Sequence, residues 1–290
     1  MSRPVLFLSD FGLDDEYVGV CHAVIARLAP GVPVIDLTHG VPPQDVMAGA
    51  VALAGAVPYS PPETVYLAVV DPGVGTERRG VAVEAGEEVL VAPDNGLVGL
   101  ALVALGGARR AVVLDPTRVS PWPVSATFHG RDVFSPAAAM LASGAALEDL
   151  GEALDVGELS ELMVGEPLVE SGRISTTVIG VDRFGNLRLA AGSRELREAG
   201  LEGDPVLELE RAGQPVRLRR VATFGDLGRG EAGVLIDSAG WVAVVCNMAS
   251  ATERVGLRRG DRAVIARDRS RVGPRGPARP HHRDLGAPGR

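Results

Sequence analysis

Over roughly its first 165 residues the chain alternates short, continuously apolar runs with longer helical patterns, which points to a largely parallel sheet covered by helices. Val5 to Leu8, Val32 to Leu37, Thr64 to Val70 and Arg110 to Leu114 read as strands, and Tyr17 to Leu28, Asp45 to Val57 and Leu97 to Leu105 as helices. The runs do not alternate apolar with polar residues, as expected of strands buried on both faces. Val81 to Glu84 and Glu88 to Val91 read as a pair around Ala85-Gly86, and a helix over Asp132 to Ala142 closes the unit.

From about residue 170 the pattern changes. Ile174 to Val181, Val206 to Glu210, Val216 to Val221, Val234 to Ile236, Trp241 to Val245 and Ala263 to Ala266 are short strands separated by Gly and Asp turns, the signature of a small barrel-like domain. The expected organisation is an N-terminal α/β domain over residues 1–165 and a smaller all-β, barrel-like domain over 166–267, with a linker within Glu158 to Ser171. Residues 268–290 form an Arg-, Pro- and Gly-rich tail too poor in apolar residues to order itself, its His281-His282 pair being solvated or an adventitious metal ligand.

Composition excludes several classes. A formal charge of -8 argues against a nucleic-acid partner. The chain contains no lysine, so a phosphate-binding loop of the Gly-Lys-Ser/Thr kind is impossible, and Gly73-x-Gly75 lacks the third glycine of a dinucleotide fingerprint. Cys21 and Cys246 supply no disulfide framework and read as buried thiols. Met1-Ser2-Arg3-Pro4 runs straight into a strand and no apolar stretch reaches membrane-spanning length, so a soluble, cytoplasmic protein with no membrane partner is expected.

Chemistry concentrates where strands give way to loops. Asp71-Pro72-Gly73-Val74-Gly75-Thr76-Glu77-Arg78 follows the third strand, so Asp71 lies at a carboxyl edge and Arg78 can fold back towards it. Asp10, in Ser9-Asp10-Phe11-Gly12, occupies the equivalent place after the first strand and suits a ribose diol, while Asp14 or Asp15 fits an N-cap for the helix at Tyr17. Thr127-Phe128-His129-Gly130-Arg131-Asp132 presents an imidazole to the same crevice, the alternative being a satisfied core histidine. His39 reads as structural and His22, within a helix, carries no signal. Asp10, His39, Asp71 and His129 were they zinc ligands would lack a His-x-x-x-His or His-x-His anchor, so no metal and no cofactor are expected. In the second domain Asp182-Arg183-Phe184-Gly185-Asn186 offers groups for an amino-acid moiety and a base, or is a hairpin turn; Asp237-Ser238-Ala239-Gly240-Trp241 and Cys246-Asn247-Met248-Ala249 are further turns.

Taken with Ala92-Pro93-Asp94-Asn95-Gly96, these motifs resemble the S-adenosyl-L-methionine hydroxide adenosyltransferases, hydrolytic relatives of fluorinase and chlorinase, over residues 4 to about 266. The resemblance implies a homotrimer with active sites between the N-domain of one subunit and the C-domain of the next. It also implies hydrolysis of S-adenosyl-L-methionine to adenosine and L-methionine. By the same resemblance Asp71, Arg78 and His129 match the water-activating triad, Asp10 the ribose-binding carboxylate, and Asp182, Phe184, Asn186 and Ser238 the methionine- and adenine-pocket positions. Halogenases instead carry a tyrosine at the place of Asp71, lack the histidine, and hold an insertion that is absent between Asp71 and Phe128. Their arginine pair near the methionine carboxylate is replaced by Ala239 and Cys246, and an aromatic by Gln44. The expected step is water attack with concerted proton removal by His129, Asp71 and Arg78 fixing the imidazole and the water. A chlorinase-like halogenase and a non-catalytic adenosyl-binding module are the rival readings.

Overall fold

In strand β1 (Val5–Ser9) every residue is buried, with Val5 and Phe7 in one apolar cluster and Leu6 and Leu8 in another. Because side chains alternate across a strand, those clusters are the two faces of one sheet. The computed structural model describes residues 3–162, 165–210 and 215–268. Contacts divide it into one unit reaching Glu166 plus Thr177–Asp182, and a second of Pro167–Thr176 and the residues from Arg183 onward.

The first unit contains β2 (Val34–Thr38), β3 (Val65–Val69), β4 (Gly80–Ala85), β5 (Glu88–Pro93), β6 (Arg110–Leu114) and β7 (Gly151–Leu154). The sheet order is β2-β1-β3-β5-β4-β6-β7. β1, β2, β3 and β5 pair in parallel, whereas β4 pairs antiparallel with β5 and β6, and β7 antiparallel with β6. α1 (Tyr17–Leu28) and, later in the chain, α5 (Ser135–Ala142) cover the Phe7 face; α2 (Val46–Ala56) and α3 (Gly99–Ala104) cover the Leu8 face. Asp45 caps α2, accepting the Ala48 N–H at 2.9 Å. α1 is preceded by Glu16 with no side-chain cap, so neither Asp14 nor Asp15 serves there as expected. The short α4 spans Pro116–Val119.

The helix expected from Asp132 begins differently. Gly130–Phe134 forms one π-helical turn, and only then does α5 (Ser135–Ala142) run on, with Pro136 in its first turn. Such wide turns re-aim the residues that enter them. Here the residue entering is His129.

The second sheet holds β8 (Leu168–Glu170), β9 (Arg173–Val181), β10 (Leu187–Gly192), β11 (Val206–Glu210), β12 (Val216–Arg220), β13 (Ala232–Ile236), β14 (Trp241–Cys246) and β15 (Arg262–Arg267). Their order, β10-β14-β13-β12-β11-β15-β9-β8, closes through β9–β10 pairing into a seven-strand barrel with β8 outside it. β11 alternates buried and half-buried residues, Leu207 and Leu209 facing in, as a barrel wall requires. β8 lies inside the segment expected to be a linker. α6 (Ser193–Glu198) and α7 (Ala251–Val255) flank the barrel strands. Asp268 is buried and ion-paired with Arg217 at 2.6 Å, while the rest of the expected tail, 269–290, lies outside the described residues. No described helix is long and apolar enough to cross a membrane.

Candidate active site

Parallel pairing of β1 with β3 sets Ser9 opposite Val69, so Asp10 and Asp71 emerge side by side from the carboxyl edge of the sheet. Asp71 is held by Arg78, whose Nε donates to Oδ1 at 3.0 Å and whose Nη2 donates to Oδ2, a two-pronged bond. Both side chains are nearly buried. The guanidinium also lies over the Phe134 ring, 5.3 Å from its centre, and donates from Nη1 to the Arg79 carbonyl at 3.0 Å.

The same Arg78 Nη2 lies 3.2 Å from His129 Nδ1. A guanidinium has only donors, so Nδ1 is the acceptor and the proton of the neutral ring sits on Nε2. Burial, and then the Arg78 charge, hold the imidazolium form down, so His129 titrates below its ordinary value despite the opposing Asp71 and Asp132 carboxylates. Burial pushes Asp71 upward, and Arg78 opposes that shift without cancelling it. The cluster is therefore a carboxylate, a fixed cation and a neutral imidazole with an N–H to give.

Two glycines bring the three loops together. Gly75 has φ +77°, and a Cβ there would sit 2.3 Å from the Ala126 carbonyl oxygen, in the loop leading to His129. A Cβ on Gly130 would lie 2.9 Å from the ring of Phe11, the neighbour of Asp10. Phe11, Tyr17 and Phe128 pack as an aromatic trio with centroid separations of 5.1 to 5.9 Å. Thus the residues flanking Asp10 and His129 touch each other directly.

Further residues of the quoted motifs, to which the sequence assigned no role, brace the site. Fully buried Asp132 accepts from Trp122 Nε1 and the Ser125 amide, each at 2.8 Å, and from Arg131 Nε at 2.7 Å. Although burial alone would raise it, those donors hold its carboxyl below the usual range. Asn95 donates to the Val70 carbonyl at 2.9 Å, fixing the residue before Asp71. Its neighbour Asp94 accepts from Arg79 Nε and the Ser160 amide, both at 2.8 Å. The Asp-Asn pair after a buried strand was the available signal.

Asp10 accepts the Gln44 N–H at 2.7 Å, and Gln44 adopts φ 65° to deliver it. Asp10, His39, Asp71 and His129 do not gather as one metal-ligand set: buried His39 turns to Ser9, sharing a hydrogen bond at 2.7 Å, and to Asp36. At the end of β9 Asp182 is exposed; within the second unit Phe184 is exposed and Asn186 buried, while Gly185 accepts from Thr252 N at 2.9 Å and Oγ1 at 3.0 Å. Exposed Ser238 rides a turn closed by Asp237, which accepts from Ala239 N at 2.9 Å and Trp241 N at 3.0 Å. Arg188 Nε reaches that Asp237 at 2.5 Å. Both cysteines are buried; desolvation raises Cys246 and carries Cys21 to about 11, so neither is a thiolate near neutrality.

A carboxylate, guanidinium and imidazole at the carboxyl edge of the parallel half of a mixed sheet, on a chain that continues into a closed barrel, make up the equipment of an enzyme of polar chemistry. Residues 5–151 match the S-adenosyl-L-methionine hydroxide adenosyltransferase N-terminal domain and residues 176–264 its C-terminal domain; the chain belongs to this family. An (R)-S-adenosyl-L-methionine hydrolase from Salinispora tropica is 49% identical over 90% of this chain and 97% of its own length. One from Thermus thermophilus is 46% identical over 89% and 97%. A fluorinase from an Actinoplanes species stands further off, 28% identical over 88% and 95%. The crystal structure of an uncharacterized conserved protein from Thermotoga maritima superposes with a TM-score of 0.84, at 33% identity over 90% of this chain and 100% of that one.

Proposed function

We propose that the protein hydrolyses S-adenosyl-L-methionine, an oxygen from water forming a bond to the ribose 5′ carbon as the bond to sulfur breaks. The electron pair leaves with sulfur as neutral methionine, so no acid is needed for the leaving group. The burden falls on the nucleophile. Water, with a pKa of about 15.7, lies roughly nine units above an ordinary histidine, a gap on the order of 12 kcal/mol for full deprotonation. The observation that carries the reading is the Arg78–His129 hydrogen bond inside the Asp71–Arg78 pair. It supports a division of labour different from the one expected from sequence. His129 donates a hydrogen bond from Nε2–H to one lone pair of the water oxygen and so aims the other at the 5′ carbon, Arg78 holds the imidazole and the carboxylate in place, and Asp71 accepts the proton that the water loses as the new bond forms.

Asp10 holds the ribose diol, and Asp182, Phe184, Asn186 and Ser238 hold the methionine and adenine ends. The relatives' names support preference for the R-configured sulfonium. Exposure of Phe184 and Ser238 supports a homotrimer in which the site is completed between subunits, measurable by sedimentation. A chlorinase-like reaction is disfavoured because the Asp71 carboxylate repels a halide. The protein acts in the cytoplasm and its turnover needs no metal or cofactor.

The deciding experiment incubates purified protein with each sulfonium epimer, with and without chloride, and chromatographs the nucleosides. Adenosine from the R epimer, undiminished by EDTA, is expected. A 5′-chloro nucleoside would establish the halogenase, and binding without turnover the adenosyl-binding module.

A further inference from the structure

Away from the groups assigned to the reaction, three ligand-type side chains of the first unit converge from separate elements. His22 projects from α1, Asp36 from the edge strand β2, and His39 follows β2 directly. His22 Nε2 lies 2.7 Å from Asp36 Oδ1, and His39 Nε2 lies 3.1 Å from the same oxygen. The three ligand atoms all fall within 4.8 Å of one another.

An ordinary ion pair accounts poorly for this grouping. His39 has a side chain only 2% exposed, yet its Nε2 makes no properly directed hydrogen bond: the approach to Asp36 is close but badly angled. A buried polar nitrogen left in that state is costly. Its other nitrogen is already engaged by Ser9 Oγ, as the outer hydrogen bond of a metal-bound imidazole would be. The buried Phe7 ring meets the His39 ring edge-on at 4.6 Å and the His22 ring at 6.0 Å, bracing both imidazoles from one side. The Asp36 side chain, 44% exposed, leaves an approach for an ion and room for a water ligand.

We propose that His22, Asp36 and His39 form a binding site for a divalent transition-metal ion of the zinc class, with the fourth position open to water. Bonds of 2.0–2.1 Å in a tetrahedron put neighbouring ligand atoms about 3.3 Å apart, so the observed contacts need open by only a few tenths of an ångström. Two imidazoles and one carboxylate suit zinc, cobalt or nickel rather than calcium or magnesium. The site shares no residue with Asp71, Arg78 and His129, so metal binding there can be measured without reference to the reaction proposed above. It does touch the substrate loop: Ser9 precedes Asp10, and the His39 carbonyl accepts the Gly12 N–H at 2.8 Å.

The test titrates cobalt(II) and zinc(II) into full-length, EDTA-stripped protein carrying His281→Ala and His282→Ala, which removes the tail's competing pair. Cobalt is followed by its visible absorption and zinc by calorimetry and melting temperature. One equivalent should bind, and His22→Gln or Asp36→Asn, at partly exposed positions, should each weaken binding by about 100-fold or more. The zinc-dependent rise in melting temperature should vanish with it. No saturable binding by about 1 mM metal, or equal affinity in His22→Gln, would overturn the proposal. Binding lost in His129→Ala but kept in His22→Gln would overturn it too, placing the ion in the active site.

Discussion

Around Asp71, Arg78 and His129 the polar groups are tied to one another and to buried braces, whereas on the barrel Phe184 and Ser238 are exposed side chains carried on turns. The difference follows from what each region must do. Groups that meet developing charge must already point correctly, because reorganising them during the reaction adds to the barrier. Groups that recognise a flexible substrate can gain their burial from the substrate when it arrives. Under the proposed function the chemistry is preorganised by the chain itself, and recognition is left to be completed.

The largest test of that contrast is removal of the triad. Asp71→Asn and His129→Ala should each lower kcat by about 10²- to 10⁴-fold with a much smaller change in KM. The double variant should lose little more, since the residues act as a unit. His129→Gln, which keeps an N–H donor, should retain more activity than His129→Ala; equal losses would return the proton-acceptor role to the histidine. The pH profile separates the same options. Because His129 titrates below its ordinary value, the rate should be flat near neutrality and fall only on the acid side of about pH 6.5. An acid limb centred above that value would break the assignment.

Next comes the brace. Asp132→Ala leaves the Trp122 and Ser125 donors and the Arg131 charge without their partner, and should cost about 3–5 kcal/mol by urea denaturation. Its folded-state pKa is depressed, so the stabilisation is present above the unfolded value and lost as pH falls through the folded one. Wild type and Asp132→Asn should therefore converge in stability below about pH 4. Gly75→Ala, strained by its φ and pressed on the Ala126 carbonyl, should cost about 1–3 kcal/mol and lower kcat through displacement of the His129 loop. The smallest effect belongs to the barrel: Phe184→Ala should raise KM several-fold and leave the melting temperature within about 1 °C, as expected for an exposed side chain. A large stability loss there would show that the turn is as tightly built as the triad.

Much of this organisation was legible because it is local. β3 is an unbroken apolar run and β1 one up to its closing Ser9, and Asp71 and Arg78 are near enough in sequence for a glycine loop to close them. β10 was missed because Arg188 interrupts its pattern just after a turn, and β8 and α7 because three and five residues are too few to show a period. The π turn at Gly130 was invisible, since its spacing arises from packing against Phe11 rather than from any repeat. His22 carried no signal at all. Looking for two histidines on one element could not reveal a grouping made when β2 is laid beside β1, next to α1.

The Asp10 carboxylate is gripped by the main-chain N–H of Gln44, and the glutamine side chain is exposed. Position 44 therefore has heritable freedom of an uncommon sort. What selection must preserve there is a left-handed backbone, which disfavours β-branched residues, while the side chain itself can drift. A side chain exchanged at position 44 would then change the surroundings of Asp10 while leaving its main-chain hydrogen bond in place.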